Sequence, residues 1–329
     1  MKIENKIKNF NKTPKFSIII PTYNRGNLLP RAVKSILSQT FQNFELIIVN
    51  DGSIDNTEKI INSFSDKRII HLEHKENKGV LSAQDTGLNR AKGEFIVWLG
   101  DDDELLTDAL EFIATKIDAL SAKEVKILWF DSIDIDAKKR VHSNQRKEGF
   151  ISYEDLLCGK THVLDPIVVI DRVIRSNIKP DERSWGNFGM LWVDFYQANY
   201  KHRPFYVPKI VCQGRLGHGK HLSHPEASLK RISKVIFAQK TFLEQYGKEI
   251  KSLCPKHYGQ KLALLGLYQV LNGAKREGRK NISHSLKINS SLKYYLLFLI
   301  SYVLNKNQIK FFYLKFLNIE RIINSLGVF

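Results

Sequence analysis

The apolar positions of the first 120 residues fall into two alternating rhythms. Residues 16–20 form a short, mostly β-branched run stopped by Pro21, and residues 45–50, 69–74 and 95–99 are further strand-like runs. Between them the period changes to that of a helix. Residues 28–38 carry Leu28, Leu29, Ala32, Val33, Ile36 and Leu37 at helical spacing. A capping-box pattern, Asp55-Asn56-Thr57-Glu58, opens a segment through Ile60, Ile61 and Phe64, and residues 80–91 and 107–120 follow as helices. Near-continuous apolar strands alternating with helices predict an α/β domain, a mostly parallel sheet flanked by helices.

Beyond Lys123 the rhythm breaks. Residues 125–130, 163–170 and 205–211 read as strands, residues 152–157 as a short helix capped by Ser152, and residues 191–199 as a helix. Residues 179–189 and 214–224 read as loops, the second rich in Gly and His. From about Ala227 the chain is expected to be helical to its end, which gives a basic tail over 1–14, an α/β domain over 15–225 and a helical region over 226–329. Within the domain, 15–120 is expected to bind a nucleotide, and 121–225 is set apart by its broken rhythm. Residues 292–304 are strongly apolar but too short to span a bilayer, and residues 309–326 mix aromatic and aliphatic side chains with Lys310, Lys315 and Arg321. An aromatic, basic amphipathic pair fits helices lying in the interface of an anionic membrane, and equally fits a cap on the α/β domain or a dimer contact.

Charge narrows the partners. The chain has 51 Lys+Arg against 34 Asp+Glu, a net +17, which attracts nucleic acid, an anionic membrane face or a phosphate-bearing substrate. No helix-turn-helix, RNP or zinc-finger pattern supports nucleic acid as a partner. Cys158, Cys212 and Cys254 are odd in number and far apart, and read as reduced thiols. The first residues lack the long apolar core of a secretory signal, so the expected location is cytoplasmic, possible contact with the inner face of the membrane included.

Four polar segments follow the first four strands: Pro21-Thr22-Tyr23-Asn24-Arg25, Asn50-Asp51-Gly52-Ser53, Asn77-Lys78-Gly79 with Asp85 further on, and Gly100-Asp101-Asp102-Asp103. In an open parallel sheet all four lie at the carboxyl edge and converge on one crevice. Three adjacent carboxylates repel one another unless a cation sits among them, and Mg²⁺ or Mn²⁺ prefers oxygen ligands. The alternative is a solvated acidic turn that caps the next helix. Neither the dinucleotide glycine fingerprint nor the P-loop pattern is present.

The segments SIIIPTYNR (17–25), FELIIVNDGSIDNT (44–57) and NKGVLSAQDTGLNRAKGEFIVWLGDDDELL (77–106) closely resemble the family 2 glycosyltransferases, which have a GT-A fold. The resemblance covers roughly residues 15–120. It implies a nucleotide-sugar donor, a UDP-sugar in the first instance, a divalent metal (Mn²⁺ or Mg²⁺), and inversion at the anomeric carbon. By position it implies that Asp51 accepts the N3–H of uracil, that Pro21 and Tyr23 shape the loop under the base, and that Arg25 reaches a phosphate or simply solvates the loop. Asp102 would be the metal ligand, and Asp103 would assist it or accept from Lys, Arg or a sugar hydroxyl. Asp85 stands where the family often has Asn. The family pattern is Asp-x-Asp-Asp, and here Gly100 occupies its first acidic position, so that a ribose contact is weakened or moves to Asp101.

An inverting transfer also needs a base for the acceptor hydroxyl. The Glu-Asp pair that supplies it in the family aligns, within the expected acceptor part 121–225, with Asn187-Phe188, which leaves Asp194 on the following helix, and next Asp181 or Glu182 at the start of the loop, as candidates. His218, with His221, Arg215 and Lys220 near it, falls where such enzymes put a group against the diphosphate, and its flanking glycines permit close approach of an anion. His218, His221 and His224 lack a fourth ligand for zinc. The expected activity is transfer of a sugar to a glycan or lipid-linked acceptor in surface polysaccharide synthesis. The alternative is a binding module that retains the fold without catalysis.

Overall fold

The computed structural model describes residues 13–136, 139–140, 147–160, 167–176, 192–194, 196–197, 201–214, 229–289, 292–303 and 307–311. The chain divides into two compact units. The first comprises Met1–Ile151, Val163–Lys179 and Lys201–Arg215, and the second Ser152–His162, Pro180–Tyr200 and Leu216–Phe329.

The first unit is built on one sheet. Its strands are β1 (Phe16–Thr22), β2 (Phe44–Asn50), β3 (Ile69–Glu73), β4 (Phe95–Trp98), β5 (Glu104–Leu105), β6 (Ile127–Asp134), β7 (Lys139–Arg140), β8 (Gly149–Phe150), β9 (Ile167–Asp171) and β10 (Phe205–Gly214). The main order is β3-β2-β1-β4-β9-β6-β10-β5. β1 to β4 are mutually parallel, as their unbroken apolar runs predict, and every residue of β2 is buried. β1 runs through Pro21 to Thr22. Pro21 is tolerated because β1 pairs with β4 only as far as Ile19, so the missing N–H faces no partner strand. β9 is antiparallel to both β4 and β6, while β10 is parallel to β6, so the sheet is mostly parallel on one side and mixed on the other.

Helices α1 (Leu29–Leu37), α2 (Thr57–Asn62), α3 (Val80–Arg90) and α4 (Ala109–Ala119) link the parallel strands. α1 turns Leu29, Ala32, Val33 and Ile36 onto the sheet, where they join Ile18, Ile20, Leu46 and Ile48 in one core. β5 was not expected from sequence, where its residues read as a turn into the next helix. It pairs antiparallel with β10 through Leu105 and Cys212, and Leu106 N donates to Val211 O at 2.9 Å. The acidic loop is therefore held at both ends, by β4 before it and β5 after it.

The second unit is helical among its described residues. α5 (Tyr153–Leu157) is capped by Ser152, whose hydroxyl accepts from Asp155 N at 3.0 Å, as its sequence predicts. α6 (Arg172–Ser176) belongs to the first unit, after β9. Then come α7 (Ile232–Leu253), α8 (Pro255–Leu271), α9 (Lys275–Ile288) and α10 (Leu292–Val303). Leu157, Val193, Phe242, Tyr246 and Ile250 form one core, and Leu267, Val270, Leu271, Ile282 and Ile309 another. α8 and α9 cross closely at Gly266 and Gly278, where a Cβ on Gly278 would lie 2.5 Å from Gly266 O.

One expectation is overturned. Cys158 and Cys254 form a disulfide with Cα atoms 5.8 Å apart across 96 residues of sequence, and Cys212 alone is free and buried. The pairing escaped a reading by spacing because it is made by packing the end of α5 against the α7–α8 junction. Alkylation of the denatured chain without reductant is expected to label one thiol, and after reduction three. Three labelled thiols without reductant would contradict the bridge.

Candidate active site

The parallel register brings the four polar segments together as the sequence requires. Thr22 pairs with Asn50, Asn50 with Glu73 and Ile19 with Trp98, so all four strands end at one edge. The first two loops are laced to each other. Asn24, in a left-handed conformation (φ 53°), accepts from Ile54 N at 2.8 Å, and its own N–H donates to Ser53 Oγ at 2.9 Å. Gly52 has φ 70°, and a Cβ there would lie 2.5 Å from Glu76 C, so this turn requires glycine.

Asp51 is buried at the centre of this edge. Its Oδ1 accepts from Lys78 N at 2.9 Å and meets His74 Nδ1 at 2.7 Å, while Oδ2 accepts from Gly79 N at 2.8 Å. His74 Nε2 lies 2.8 Å from Thr86 Oγ1, so the tautomer that donates from Nδ1 satisfies both partners. The carboxylate thus ties the β2 loop to the β3 loop and the start of α3. A carboxylate has about four lone-pair directions, so these three contacts leave one on Oδ2. The role of His74 was missed from sequence; a histidine one residue past a strand gives no pattern to find.

The acidic loop carries the main electrostatic feature. Asp101 and Asp102 are both buried, and one nitrogen of Arg25, Nη1, donates to Asp101 Oδ1 at 2.7 Å and to Asp102 Oδ2 at 2.9 Å. Thr22 Oγ1 donates to Asp101 Oδ2 at 2.8 Å. Burial works against the Arg25 charge, but Asp101 and Asp102 outweigh it and the guanidinium is raised above its ordinary value. Arg25, expected at a phosphate, is here the counter-ion of the aspartate pair.

Burial pushes the Asp101 carboxyl up to about 6, with the charge of Asp102 adding to the rise and Arg25 and Thr22 opposing it. An aspartate in an unfolded chain titrates near about 3.9. Between these values the unfolded chain ionises first, so this group's contribution to stability is present below the window and is lost as pH rises through it. Asp101→Asn removes the titration. Denaturant unfolding is expected to show the stability of the variant gaining on the wild type by about 2–3 kcal/mol from roughly pH 4 to pH 7. A difference that stays flat contradicts the assignment.

Gly100, the departure from the family pattern, has a structural counterpart. A Cβ built there would lie 2.7 Å from Asp103 Oδ2 and 3.0 Å from Asp102 Oδ1, and a Cβ on Gly214 would lie 2.4 Å from Asp103 Oδ1. Asp103 is folded into space that two glycines leave open. The oxygens of Asp102 and Asp103 converge on the point beside Gly100, a hard-oxygen pair suited to Mg²⁺ or Mn²⁺ when a diphosphate and water supply the remaining ligands. Among the described residues no group of three His, Cys, Asp or Glu side chains forms a metal site by itself.

Of the other expected residues, Tyr23 is exposed on the first loop and Pro21 is part of β1. Asp85 points to Arg175 on α6, whose Nη2 donates to it at 3.0 Å and whose guanidinium lies 4.9 Å from the ring centre of Trp98. Burial lowers Arg175 from its ordinary value, against the charge of Asp85. Asp194 lies in the second unit, where it accepts from the Tyr246 hydroxyl and from Gln245 Nε2. Glu182 and His218 lie outside the described residues.

Comparison with known proteins agrees with this geometry. Residues 17–166 match the family model described as glycosyl transferase family 2. A Campylobacter jejuni GalNAc(5)-diNAcBac-PP-undecaprenol beta-1,3-glucosyltransferase is 29% identical over 252 residues, covering 74% of this chain and 81% of that protein. An uncharacterized glycosyltransferase of Rickettsia typhi is 42% identical over 113 residues, 34% of this chain and 35% of that one. Among solved structures, S. aureus TarS 1–349 in complex with UDP-GlcNAc superposes with a TM-score of 0.54 at 17% identity, over 81% of this chain and 89% of that one. The mannosyltransferase PcManGT from Pyrobaculum calidifontis, in complex with GDP-Man and Mn2+, has a TM-score of 0.54 at 15% identity, over 96% and 88%. Residues 17–166 thus match family 2, and these likenesses together support reading the chain as a glycosyltransferase with the GT-A fold of the structures it superposes on.

Proposed function

We propose that the chain transfers a sugar from a UDP-sugar to a lipid-linked glycan acceptor in bacterial surface glycan synthesis, with inversion and with a divalent cation. The observation that carries this reading is the convergence of Asp102 and Asp103 beside Gly100 at the same sheet edge as Asp51. The free lone pair of Asp51 suits the N3–H of uracil, and the loop of Pro21 and Tyr23 suits the base. The C. jejuni relative named for an undecaprenol-linked substrate supports the acceptor class, and the nucleotide-sugar complexes of the structural neighbours support the donor class.

Asp102 and Asp103 would hold Mg²⁺ or Mn²⁺ against the diphosphate, with Asp101 turned to the ribose. A bound divalent ion offsets the charge that grows on the departing diphosphate. By the sequence resemblance alone, Arg25, which holds the aspartate pair in the structure, would reach a phosphate, and His218 is the residue assigned to the diphosphate. A base takes the acceptor hydroxyl proton as its oxygen attacks the anomeric carbon, and the nucleoside diphosphate leaves from the opposite face. From sequence position we assign the base to Asp194, with Asp181 or Glu182 as the alternatives. Asp194→Asn is expected to lower turnover about a hundredfold with donor affinity little changed. If Glu182→Gln does this instead, the base is Glu182.

The test is product formation from UDP-glucose, UDP-galactose, UDP-N-acetylhexosamines and GDP-mannose with a polyprenyl-diphosphate glycan acceptor, with Mn²⁺ and with EDTA. Transfer from a UDP-sugar that EDTA abolishes is the expected result. Transfer from GDP-mannose alone, or transfer unaffected by EDTA, would overturn the donor or the metal assignment respectively.

A further inference from the structure

Helix α10 leaves one apolar face uncovered. Tyr295, Leu296, Leu299, Tyr302 and Val303 are exposed, from 43% at Leu299 to 80% at Val303. At about 100° per residue these positions fall within an arc of about 120°. The opposite side is packed: Phe298 and Ile300 lie against the core around Leu267, Val270 and Ile282, and Ser301 is buried. Among the described residues, no helix is long and apolar enough to cross a membrane. Twelve residues of helix reach about 18 Å, against a hydrocarbon core of about 30 Å.

The sequence around α10 carries charge of almost one sign. From Lys275 to Phe311 the sequence carries eight Lys and Arg (Lys275, Arg276, Arg279, Lys280, Lys287, Lys293, Lys306, Lys310) and a single acid, Glu277. On α9, Lys275, Arg276, Lys280 and Lys287 are exposed. Arg279 joins the two features. Its Nη2 donates to Ser301 O at 2.7 Å, and its guanidinium stacks 3.9 Å from the ring centre of Tyr302, at the rim of the apolar arc.

We propose that this face of α10 lies in the interface of an anionic membrane, its tyrosines at headgroup depth, with the α9 cations on lipid phosphates. An apolar arc rimmed by cations complements such a surface. A second copy of the chain does not, because a symmetric contact would bring two cation-rich α9 helices together. The proposal goes beyond the transfer reaction and requires no glycan acceptor, so it stands or falls separately from the proposed activity.

The test is flotation of the full chain with phosphatidylcholine vesicles, with and without phosphatidylglycerol, at low and at physiological salt. The chain is expected to float with the anionic vesicles only, and less as salt rises. The double variant Leu296→Glu, Leu299→Glu should lose at least about tenfold in vesicle affinity, since a charge replaces each buried apolar group. Lys280→Ser and Arg276→Ser should each lose about fivefold. Both sets change exposed side chains, and unchanged thermal melting confirms that they fold. A wild-type chain that does not float with anionic vesicles overturns the proposal, as does equal flotation of the apolar-face variant. A chain that is dimeric in solution and made monomeric by Leu296→Glu, Leu299→Glu also overturns it, in favour of a second copy on this face.

Discussion

Asp102→Asn is expected to cut sugar transfer by at least about a hundredfold and to abolish the response of the remaining activity to Mn²⁺. The variant keeps the shape of the side chain and removes one charge from the pair of oxygens beside Gly100. Lewis-acid assistance to a leaving diphosphate is worth several kcal/mol, and each ~1.4 kcal/mol is tenfold in rate. The fold should survive, because Asp102 lies in a loop pinned by β4 and β5, and Arg25 retains its contact with Asp101. Steady-state transfer rates across a Mn²⁺ titration, alongside a thermal melt, separate loss of chemistry from loss of structure. Wild-type turnover in this variant would contradict the proposed role of Asp102 as a metal ligand.

Asp51→Ala has the second large effect, and it acts first on stability. The carboxylate is the acceptor for the N–H groups of Lys78 and Gly79 and the partner of His74. Alanine leaves buried His74 without this partner and the part-buried N–H groups of Lys78 and Gly79 to water. A buried donor left unsatisfied costs about 1–3 kcal/mol, so the expected loss is about 2–3 kcal/mol, read as a lower denaturation midpoint in urea. Donor affinity should fall as well, because the two loops that Asp51 holds together form the wall of the crevice. A change below about 1 kcal/mol would mean that water replaces the carboxylate and that the loops do not depend on it.

The parts of this account that were legible in the sequence are those fixed by local pattern. The runs ending at Thr22, Asn50, Glu73 and Trp98 announce parallel strands, and parallel strands with helical connections put their ends on one edge. That alone placed Arg25, Asp51 and Asp101–Asp103 near one another. The contacts between them were not legible. Arg25 bridges Asp101 and Asp102 across 76 and 77 residues, and the sequence holds no sign that the guanidinium turns to the carboxylates. β5 is two residues long, and it is a strand only because β10 arrives beside it. β9 has the same apolar character as a parallel strand, and its direction is set by its connections. The bond between Cys158 and Cys254 likewise depends on how α5 meets the α7–α8 junction. Gly100 looked like a lost acid. In the structure it is the space that Asp103 occupies, and an aspartate there would have to displace it.

The central claim is that Asp51 and the Asp102–Asp103 pair serve one nucleotide-binding crevice with a divalent cation. Calorimetric titration of UDP into the wild-type chain, with Mn²⁺ and again with EDTA, tests it most directly, with GDP and CDP as comparisons. The account predicts that UDP binds in Mn²⁺, that EDTA weakens it by at least about tenfold, and that GDP and CDP bind less well. Failure of all three nucleotides to bind, or equal UDP affinity with and without the metal, would contradict it.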